Sequence, residues 1–197
     1  MKRKILIVVA IVVAFFVALI AYSASTYNTF VSQEESVGKA WSNVENQYQR
    51  RADLIPNLVN TVKGYAEHEK STLDAVVSAR AKATQATVNI DDLTPEKMQA
   101  FQRAQGEIGM ALGRLMAISE KYPDLKANEN FKELQSQLEG TENRISVERR
   151  KFNDMAKEYN TNIRRFPKNI FAGMFGFEKR PYFEAEAGSE KAPEVKF

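Results

Sequence analysis

The sequence predicts an all-α protein, with an N-terminal transmembrane helix followed by an antiparallel four-helix bundle of long helices. Two patterns support this prediction. An unbroken apolar run occupies residues 5–22, and from there to Phe166 apolar residues recur at alternating steps of three and four. The first pattern is typical of a membrane span, and the second of helices that bury one stripe of side chains. Prolines and polar clusters then divide the second part into separate helices.

Residues 5–22, ILIVVAIVVAFFVALIAY, contain no charged residue, Gly or Pro. A helix of this length covers about 27 Å, which is close to the hydrocarbon thickness of a bilayer. Three basic residues stand within residues 1–4, whereas the next Lys or Arg is Lys39. By the positive-inside rule, residues 1–4 are cytoplasmic and residues 23–197 lie on the outer or periplasmic face of the inner (cytoplasmic) membrane.

A cleavable signal peptide is the alternative for this segment, because small residues such as Ala21, Ser23 and Ala24 follow the apolar core. However, the run is longer than the roughly 7 to 15 residues of a signal-peptide core, and no helix breaker separates it from the candidate cleavage site. We therefore predict a retained signal-anchor.

The net charge of +3 belongs to the N-terminus. Three Lys and Arg and no acidic residue fall within residues 1–22, so the other 25 basic residues are matched by 25 acidic ones. A neutral domain has no electrostatic attraction for nucleic acid, which we do not expect as a partner. The chain has no Cys, which excludes disulfides and thiolate metal sites.

The first bundle helix is predicted to continue directly from the anchor, because no Gly or Pro interrupts residues 5–37. Glu34 is the polar exception in its stripe. The sequence then predicts a first turn at residues 49–56, with Asp53 as the N-cap of a second helix and Pro56 in that helix's first turn. The apolar stripe of the first bundle helix comprises Tyr27, Phe30 or Val31, Val37, Trp41, Val44 and Tyr48.

The second helix is predicted to run from about residue 55 to Thr87, with Glu69 and Arg80 on its apolar seam and Gly64 weakening it slightly. A polar connection at residues 87–94 follows, and Thr94 with Pro95 predicts the start of the third helix. The stripe of the second helix comprises Ile55, Leu58 or Val59, Val62, Tyr65, Leu73, Val76 and Ala83. That of the third comprises Met98, Phe101, Gln105, Ile108, Leu112, Leu115, Ser119 and Tyr122.

The third helix also carries glycines at spacings of three and four. They would either let a neighbouring helix approach closely or simply soften the helix, and the sequence leaves both alternatives open. These glycines are Gly106, Gly109 and Gly113.

The fourth helix is predicted from a cap at Asn128 to Phe166, with Pro167 ending it, while residues 122–125 end the third helix. Residues 23–166 thus form the predicted bundle. Residues 167–183 form an aromatic segment that packs on the bundle or on the membrane surface, and residues 184–197 form a disordered tail. The stripe of the fourth helix comprises Phe131, Leu134, Leu138, Thr141, Ile145, Glu148, Phe152, Met155, Tyr159, Ile163 and Phe166.

No set of residues in the sequence predicts catalysis, and we assign no catalytic, cofactor-binding or metal site. His68 is the one imidazole in a chain where a zinc site would need three or four convergent ligands. The Glu34-Glu35 and Asp91-Asp92 pairs are adjacent residues, which on a helix point apart. The basic clusters at residues 149–151 and 164–165 are balanced by nearby acidic residues, as on a solvated helix face.

Several motifs together resemble the LemA family of bacterial single-pass membrane proteins. The most specific runs from Arg50 to Val59, RRADLIPNLV, and continues as Val62-Lys63-Gly64-Tyr65. Further matches are Tyr27-Asn28, Ala40-Trp41, Val44-Glu45, Leu138 to Ile145, Phe152-Asn153, Tyr159-Asn160, Phe166-Pro167 and Pro181-Tyr182-Phe183. The resemblance implies a single membrane anchor, a helical-bundle domain and an association with the cell envelope and membrane remodelling. It implies no catalytic residues.

We therefore predict a non-enzymatic, membrane-anchored protein of the bacterial cell envelope that acts as a scaffold or adaptor. Its expected partners are the membrane and other envelope or membrane proteins, whose identity the sequence does not give, nor does it give the oligomeric state. The alternatives are a small-ligand receptor in the bundle core and a hydrolase. For the receptor, the hint is a set of polar seam residues that line a groove or face a partner: Glu34, Glu69, Gln105 and Glu148.

Overall fold

The structure is a computed structural model that describes residues 2–184. Within them it contains six α-helices, two short 3-10 helices and no strand, which confirms the all-α prediction. Apart from Glu184, the predicted disordered tail lies outside the described residues. The helices are α1 (Lys2–Lys63), α2 (Lys70–Gln85), α3 (Pro95–Ser119), α4 (Pro123–Ala127), α5 (Glu129–Arg164) and α6 (Lys168–Phe175), with 3-10 helices at Glu67–Glu69 and Ile90–Asp92.

The chain forms two compact units, and two of its helices contribute to both. Of the described residues, the first unit comprises 2–40 and 154–180. The second comprises 41–153 and 181–184. The division predicted at residues 22, 166 and 183 stays a prediction.

The predicted turn at residues 49–56 is wrong, because α1 continues through Pro56 to Lys63. Asp53 caps no helix there and instead accepts a hydrogen bond from Gln49 within α1. Proline has no N–H to donate to the carbonyl four residues earlier, which is that of Ala52. Arg80 donates its Nε–H to this carbonyl at 2.8 Å and so satisfies it from another helix.

The chain turns at Gly64–Ala66 instead, where the amides of Tyr65 and Ala66 both bond to the carbonyl of Val62. Tyr65, predicted on the apolar stripe, is therefore 44% exposed. Its hydroxyl accepts a hydrogen bond from the side-chain amide of Asn128 at 2.9 Å. The second predicted helix is reduced to α2.

The core of the second unit receives side chains from α1, α2, α3, α4 and α5. Within this unit α1 and α5 run antiparallel, because Trp41 contacts Phe152 whereas Arg51, further along α1, contacts Glu142, earlier on α5. The up-down-up-down order of a four-helix bundle stays a prediction. The Leu, Ile and Phe residues of this core are Ile55, Leu58, Leu73, Ile108, Leu112, Leu115, Ile118, Leu125, Phe131 and Leu138.

Two predicted helix starts are confirmed by their caps. The hydroxyl of Thr94 accepts a hydrogen bond from the amide of Lys97, with Pro95 in the first turn of α3. The side chain of Asn128 accepts one from the amide of Phe131 at 3.0 Å. These bonds satisfy amides that have no partner within their helices.

The glycines of α3 do not bring a neighbouring helix close. A Cβ atom at Gly106, Gly109 or Gly113 would meet no heavy atom within 4 Å, apart from the backbone of its own helix. Gly106 and Gly113 are instead found in the walls of two separate surface grooves, and Gly109 lies in both. Of the two alternatives, the close approach is excluded by this spacing.

In the first unit, the apolar residues at the start of α1 are exposed, and α1 is long and apolar enough to cross a membrane. The predicted aromatic segment forms α6, which packs on α1. Phe171 lies edge-on to Tyr22 with ring centroids 5.7 Å apart, and Phe175 lies edge-on to Tyr27 at 5.1 Å. Phe177, after the helix, contacts both Tyr27 and Phe30.

Candidate functional site: a groove around Arg51

Arg51 is an arginine in the interior of the second unit, with only 3% of its surface exposed. Its Nη1 donates to a carboxylate oxygen of Glu142 on α5 at 2.7 Å. Its Nη2 donates to Gln105 on α3, at 2.7 Å to the side-chain oxygen and 3.0 Å to the main-chain carbonyl. One guanidinium therefore connects α1, α3 and α5.

The face and the Nε–H group of this guanidinium have different surroundings. It lies over the ring of Tyr48, one turn earlier on α1, with its carbon 5.1 Å from the ring centroid. Its Nε is buried and has no hydrogen-bond partner among the described residues. A buried charge with an unused donor reduces the folding stability that the side chain contributes.

Arg51 forms part of the wall of a groove with a volume of about 780 Å³. This volume lies within the range of typical ligand pockets. The groove is lined by three guanidinium groups, two carboxylates and several amides, and Gly106 and Gly109 leave it open where side chains would otherwise stand. Its lining includes Tyr48, Arg51, Gln99, Gln102, Arg103, Gln105, Glu142, Ser146, Arg149 and Glu184.

The C-terminal stretch of the second unit reaches this groove. The side chain of Asn153 on α5 bonds both the amide and the carbonyl of Phe183, at 2.8 and 2.9 Å. The ring of Phe183 stacks on Trp41, and the guanidinium of Arg149 lies 4.8 Å above it. Arg149 and Gln102 both donate to the main-chain carbonyl of Glu184. The stretch is thereby fixed at the groove.

The hydroxyl of Tyr48 also lies in this setting. Burial raises its pKa, while the positive charges of Arg149 and Arg51 partly oppose the rise. The phenol therefore stays protonated at neutral pH, where it can donate or accept a hydrogen bond but cannot act as a base.

Comparisons with known proteins place this chain in a family. The sequence model of the LemA family matches residues 40–197. The chain belongs to the LemA family. It is also 32% identical to the magnetosome protein MamQ of Magnetospirillum gryphiswaldense, over 92% of this chain and 74% of that protein.

Two further relatives of this LemA-family protein cover similar shares. The magnetosome protein MamQ 2 of Paramagnetospirillum magneticum is 31% identical over 88% of this chain and 70% of the relative. Protein LemA of Metamycoplasma hominis is 23% identical over 80% of this chain and 68% of the relative. With its exposed apolar helix, the chain is a membrane-associated helical protein.

The polar seam residues of this LemA-family chain have different surroundings. Gln105 lines the groove and holds Arg51. Glu148 forms an ion pair with Lys151 at 2.8 Å on α5. Glu69 is half-buried at the start of α2 and makes no side-chain cap. The prediction that the seam lines a groove therefore holds for Gln105 alone among these three.

The fourth seam residue, Glu34, belongs to a cluster in the first unit. Its carboxylate accepts hydrogen bonds from Arg180 at 2.7 Å and from the hydroxyl of Tyr159 at 3.4 Å. Burial and the negative charge of Glu34 raise the pKa of Tyr159 to about 12. Asn160, next to Tyr159, bonds both the amide and the carbonyl of Arg180. The cluster fixes the chain after α6 to α5.

His68 is exposed in the 3-10 helix Glu67–Glu69. Within residues 2–184, no group of three or more His, Cys, Asp and Glu side chains is arranged to hold a metal ion. The site that does stand out in this LemA-family protein is built from arginine and amide groups.

Arg51 was not predicted as a site residue, although the sequence contains a signal for it. Tyr48, Arg51 and Ile55 continue the three-four alternation of α1 without a break. Read through Pro56 as one helix, this alternation places Arg51 on the buried stripe. The turn predicted at residues 49–56 divided this stripe into one part that ended at Tyr48 and another that began at Ile55, so Arg51 was assigned to neither part.

Proposed function

We propose that this protein is a non-enzymatic, membrane-anchored scaffold or adaptor of the bacterial cell envelope, and that the groove around Arg51 binds a segment of a partner protein. The observation that carries the proposal is an open groove of about 780 Å³ whose wall brings together the guanidinium groups of Arg51, Arg103 and Arg149.

The lining of the groove indicates the chemistry of the partner segment. Guanidinium groups bind carboxylates with good geometry, and amide side chains pair with main-chain groups. Arg103 and Arg149 supply such guanidinium groups beside Arg51, and Gln99 and Gln102 supply amides. We therefore propose a polar segment that carries carboxylates.

The proposal includes that the protein catalyses no reaction. The names of the relatives, LemA and magnetosome protein MamQ, describe no reaction. In the groove, the pKa of the Tyr48 phenol is raised, which moves it further from neutrality. A general base would need a shift towards neutrality.

The proposed location is the inner membrane, with the anchor at residues 5–22 and the helical domain on the outer or periplasmic face. The support is the basic N-terminus before the anchor, with no Lys or Arg until Lys39. An adaptor there would offer its groove to other envelope proteins.

Affinity purification of the full chain in mild detergent, followed by mass spectrometry, tests the proposal. The informative variant is Gly106→Leu, since a Cβ there meets open space and the longer side chain would fill the groove around Arg51. Gly113→Leu is the matched control, because it lies on the same helix and lines a different groove. Both substitutions favour helix formation, so neither should unfold the domain.

A partner that co-purifies with the natural chain and with Gly113→Leu, but is lost with Gly106→Leu, is the expected result. A set of co-purifying proteins that is the same for all three chains would contradict the groove as the binding site.

A small-ligand receptor is the second candidate, and the volume of the groove favours it. Native mass spectrometry of the purified chain would show a bound small molecule whose occupancy falls with Gly106→Leu. If the groove holds such a molecule and no protein depends on it, the receptor replaces the adaptor.

A further inference from the structure

Helix α6 carries an apolar stripe that no part of the described chain covers. Ile170 is 52% exposed and Met174 is 71% exposed, and Phe166, just before the helix, is 79% exposed. Ile170 and Met174 are four positions apart on α6, so they share one face, and Phe166 lies in the turn that leads into the helix. These three exposed side chains make up the stripe. The neighbouring face of α6 packs on α1 through Phe171 and Phe175. The helix is therefore held in place while one apolar face stays open.

The contact with α1 determines what lies next to this face. Phe171 touches Tyr22, the last residue of the apolar run that is long enough to cross a membrane. The end of a membrane-spanning run lies where the hydrocarbon core meets the headgroups. Aromatic and amphipathic segments favour that layer, in which one side is apolar and the other is wet.

The charges around the stripe suit the same layer. Arg164 and Arg165 precede α6 and are exposed, as is Lys179 after it. Glu178 is the one acidic residue from 164 to 180. Basic residues next to an apolar stripe are attracted to anionic headgroups.

We propose that the stripe of Phe166, Ile170 and Met174 lies in the headgroup layer of the same membrane that holds the anchor. Helix α6 then acts as a second, interfacial membrane contact, which fixes the first unit against the bilayer. A second copy of the chain is a weaker occupant, because three side chains fall short of a stable homodimer interface.

Fluorescence with single labels on the full chain in liposomes tests this proposal. The natural sequence has no Cys, so each of three variants carries one label: Met174→Cys on the stripe, Ile20→Cys in the anchor and Ser36→Cys on α1. Ser36 is exposed and lies about 21 Å beyond Tyr22 along the helix, which makes it the reference outside the membrane. An environment-sensitive dye reports polarity, and a spin-labelled headgroup quenches labels in that layer.

The label at position 174 should show blue-shifted emission and lose fluorescence when spin-labelled headgroups are added, whereas the label at position 36 should do neither. Equal emission and equal lack of quenching at positions 174 and 36 would overturn the proposal. The label at position 20 should be quenched by a lipid that carries its spin label on the acyl chain. If it is not, the anchor lies outside the bilayer, and headgroup quenching at position 174 would not support the proposal.

Two controls separate lipid contact from other causes. Circular dichroism must show the same helicity for all three variants, which is expected because position 174 is exposed. A label at 174 whose blue shift grows with the protein-to-lipid ratio, yet is not quenched by lipid, would indicate a second copy and overturn the membrane contact. The result does not depend on the groove, so failure of the adaptor proposal leaves it unchanged.

Discussion

The side-chain Nε of Arg80 lies 2.8 Å from the main-chain carbonyl oxygen of Ala52 and donates a hydrogen bond to it. Ala52 is the residue whose carbonyl Pro56 cannot bond, and it is buried. A helix can thus pass through a proline when a distant donor replaces the missing amide.

Arg80→Met should lower the free energy of unfolding by about 1–3 kcal/mol, because a buried carbonyl loses its donor. In a Pro56→Ala background, the amide of residue 56 can bond to Ala52, so the same substitution should have a smaller effect. Urea unfolding in detergent, followed by the helical circular dichroism signal, would measure both. Equal effects in the two backgrounds would show that the bond to Ala52 does not compensate for the proline.

Gln105→Leu should also destabilise the chain by about 1–3 kcal/mol, since Nη2 of the buried Arg51 loses a side-chain acceptor. Adding Arg51→Met should recover part of the loss, because an apolar pair leaves no buried charge without partners. The same unfolding measurement applies. A double variant that is less stable than Gln105→Leu alone would contradict this account.

Gly113→Ala should stabilise the chain by about 0.8–1 kcal/mol, the difference in helix propensity, because the new methyl group meets no atom within 4 Å. The thermal unfolding midpoint would rise accordingly. A loss of stability would instead indicate that another helix approaches Gly113.

Tyr159 predicts a stability change at alkaline pH. Its pKa is raised from 10.0 to about 12, so below pH 10 both folded and unfolded chains keep the proton and the contribution is complete. Between these values the unfolded chain releases the proton while the folded chain retains it, and stability falls as pH rises. Tyr159→Phe should remove this part of the fall. Unfolding free energies measured across this range for both chains would test it, and parallel curves would contradict it.

If the anchor has the proposed orientation, protease added to spheroplasts should remove the helical domain and leave the first residues in the membrane. The physical reason is the cluster Lys2, Arg3 and Lys4 before the apolar run. An intact cytoplasmic protein serves as the control for lysis. A domain that is protected until the membrane is broken would reverse the orientation.

The sequence predicted features that depend on local chemistry. The caps at Thr94 and Asn128 are set by side chains that bond to amides three residues away. The apolar stripes are set by helical periodicity, and most of their members are buried.

It failed where a distant residue compensates for a local rule. Pro56 indicates a turn when only its neighbours in the sequence are considered. Arg80, which bonds to the carbonyl that Pro56 leaves without a donor, lies in another helix. The groove could not be predicted either, because it depends on which parts of other helices lie next to Gly106 and Gly109. A glycine in the sequence shows that a side chain is absent, but not which residues surround that position in the fold.

The edge-on contact between Tyr22 and Phe171 has a practical consequence for dissecting this protein. Hydropathy suggests that a water-soluble fragment should begin at residue 23, but that cut would remove Tyr22 from Phe171 and leave only Tyr27 on Phe175. Such a fragment would expose Phe171 together with the open face of α6, and it should self-associate. Ending the fragment before Arg164 is no remedy, because that cut would also remove the buried Phe183 from its stack on Trp41.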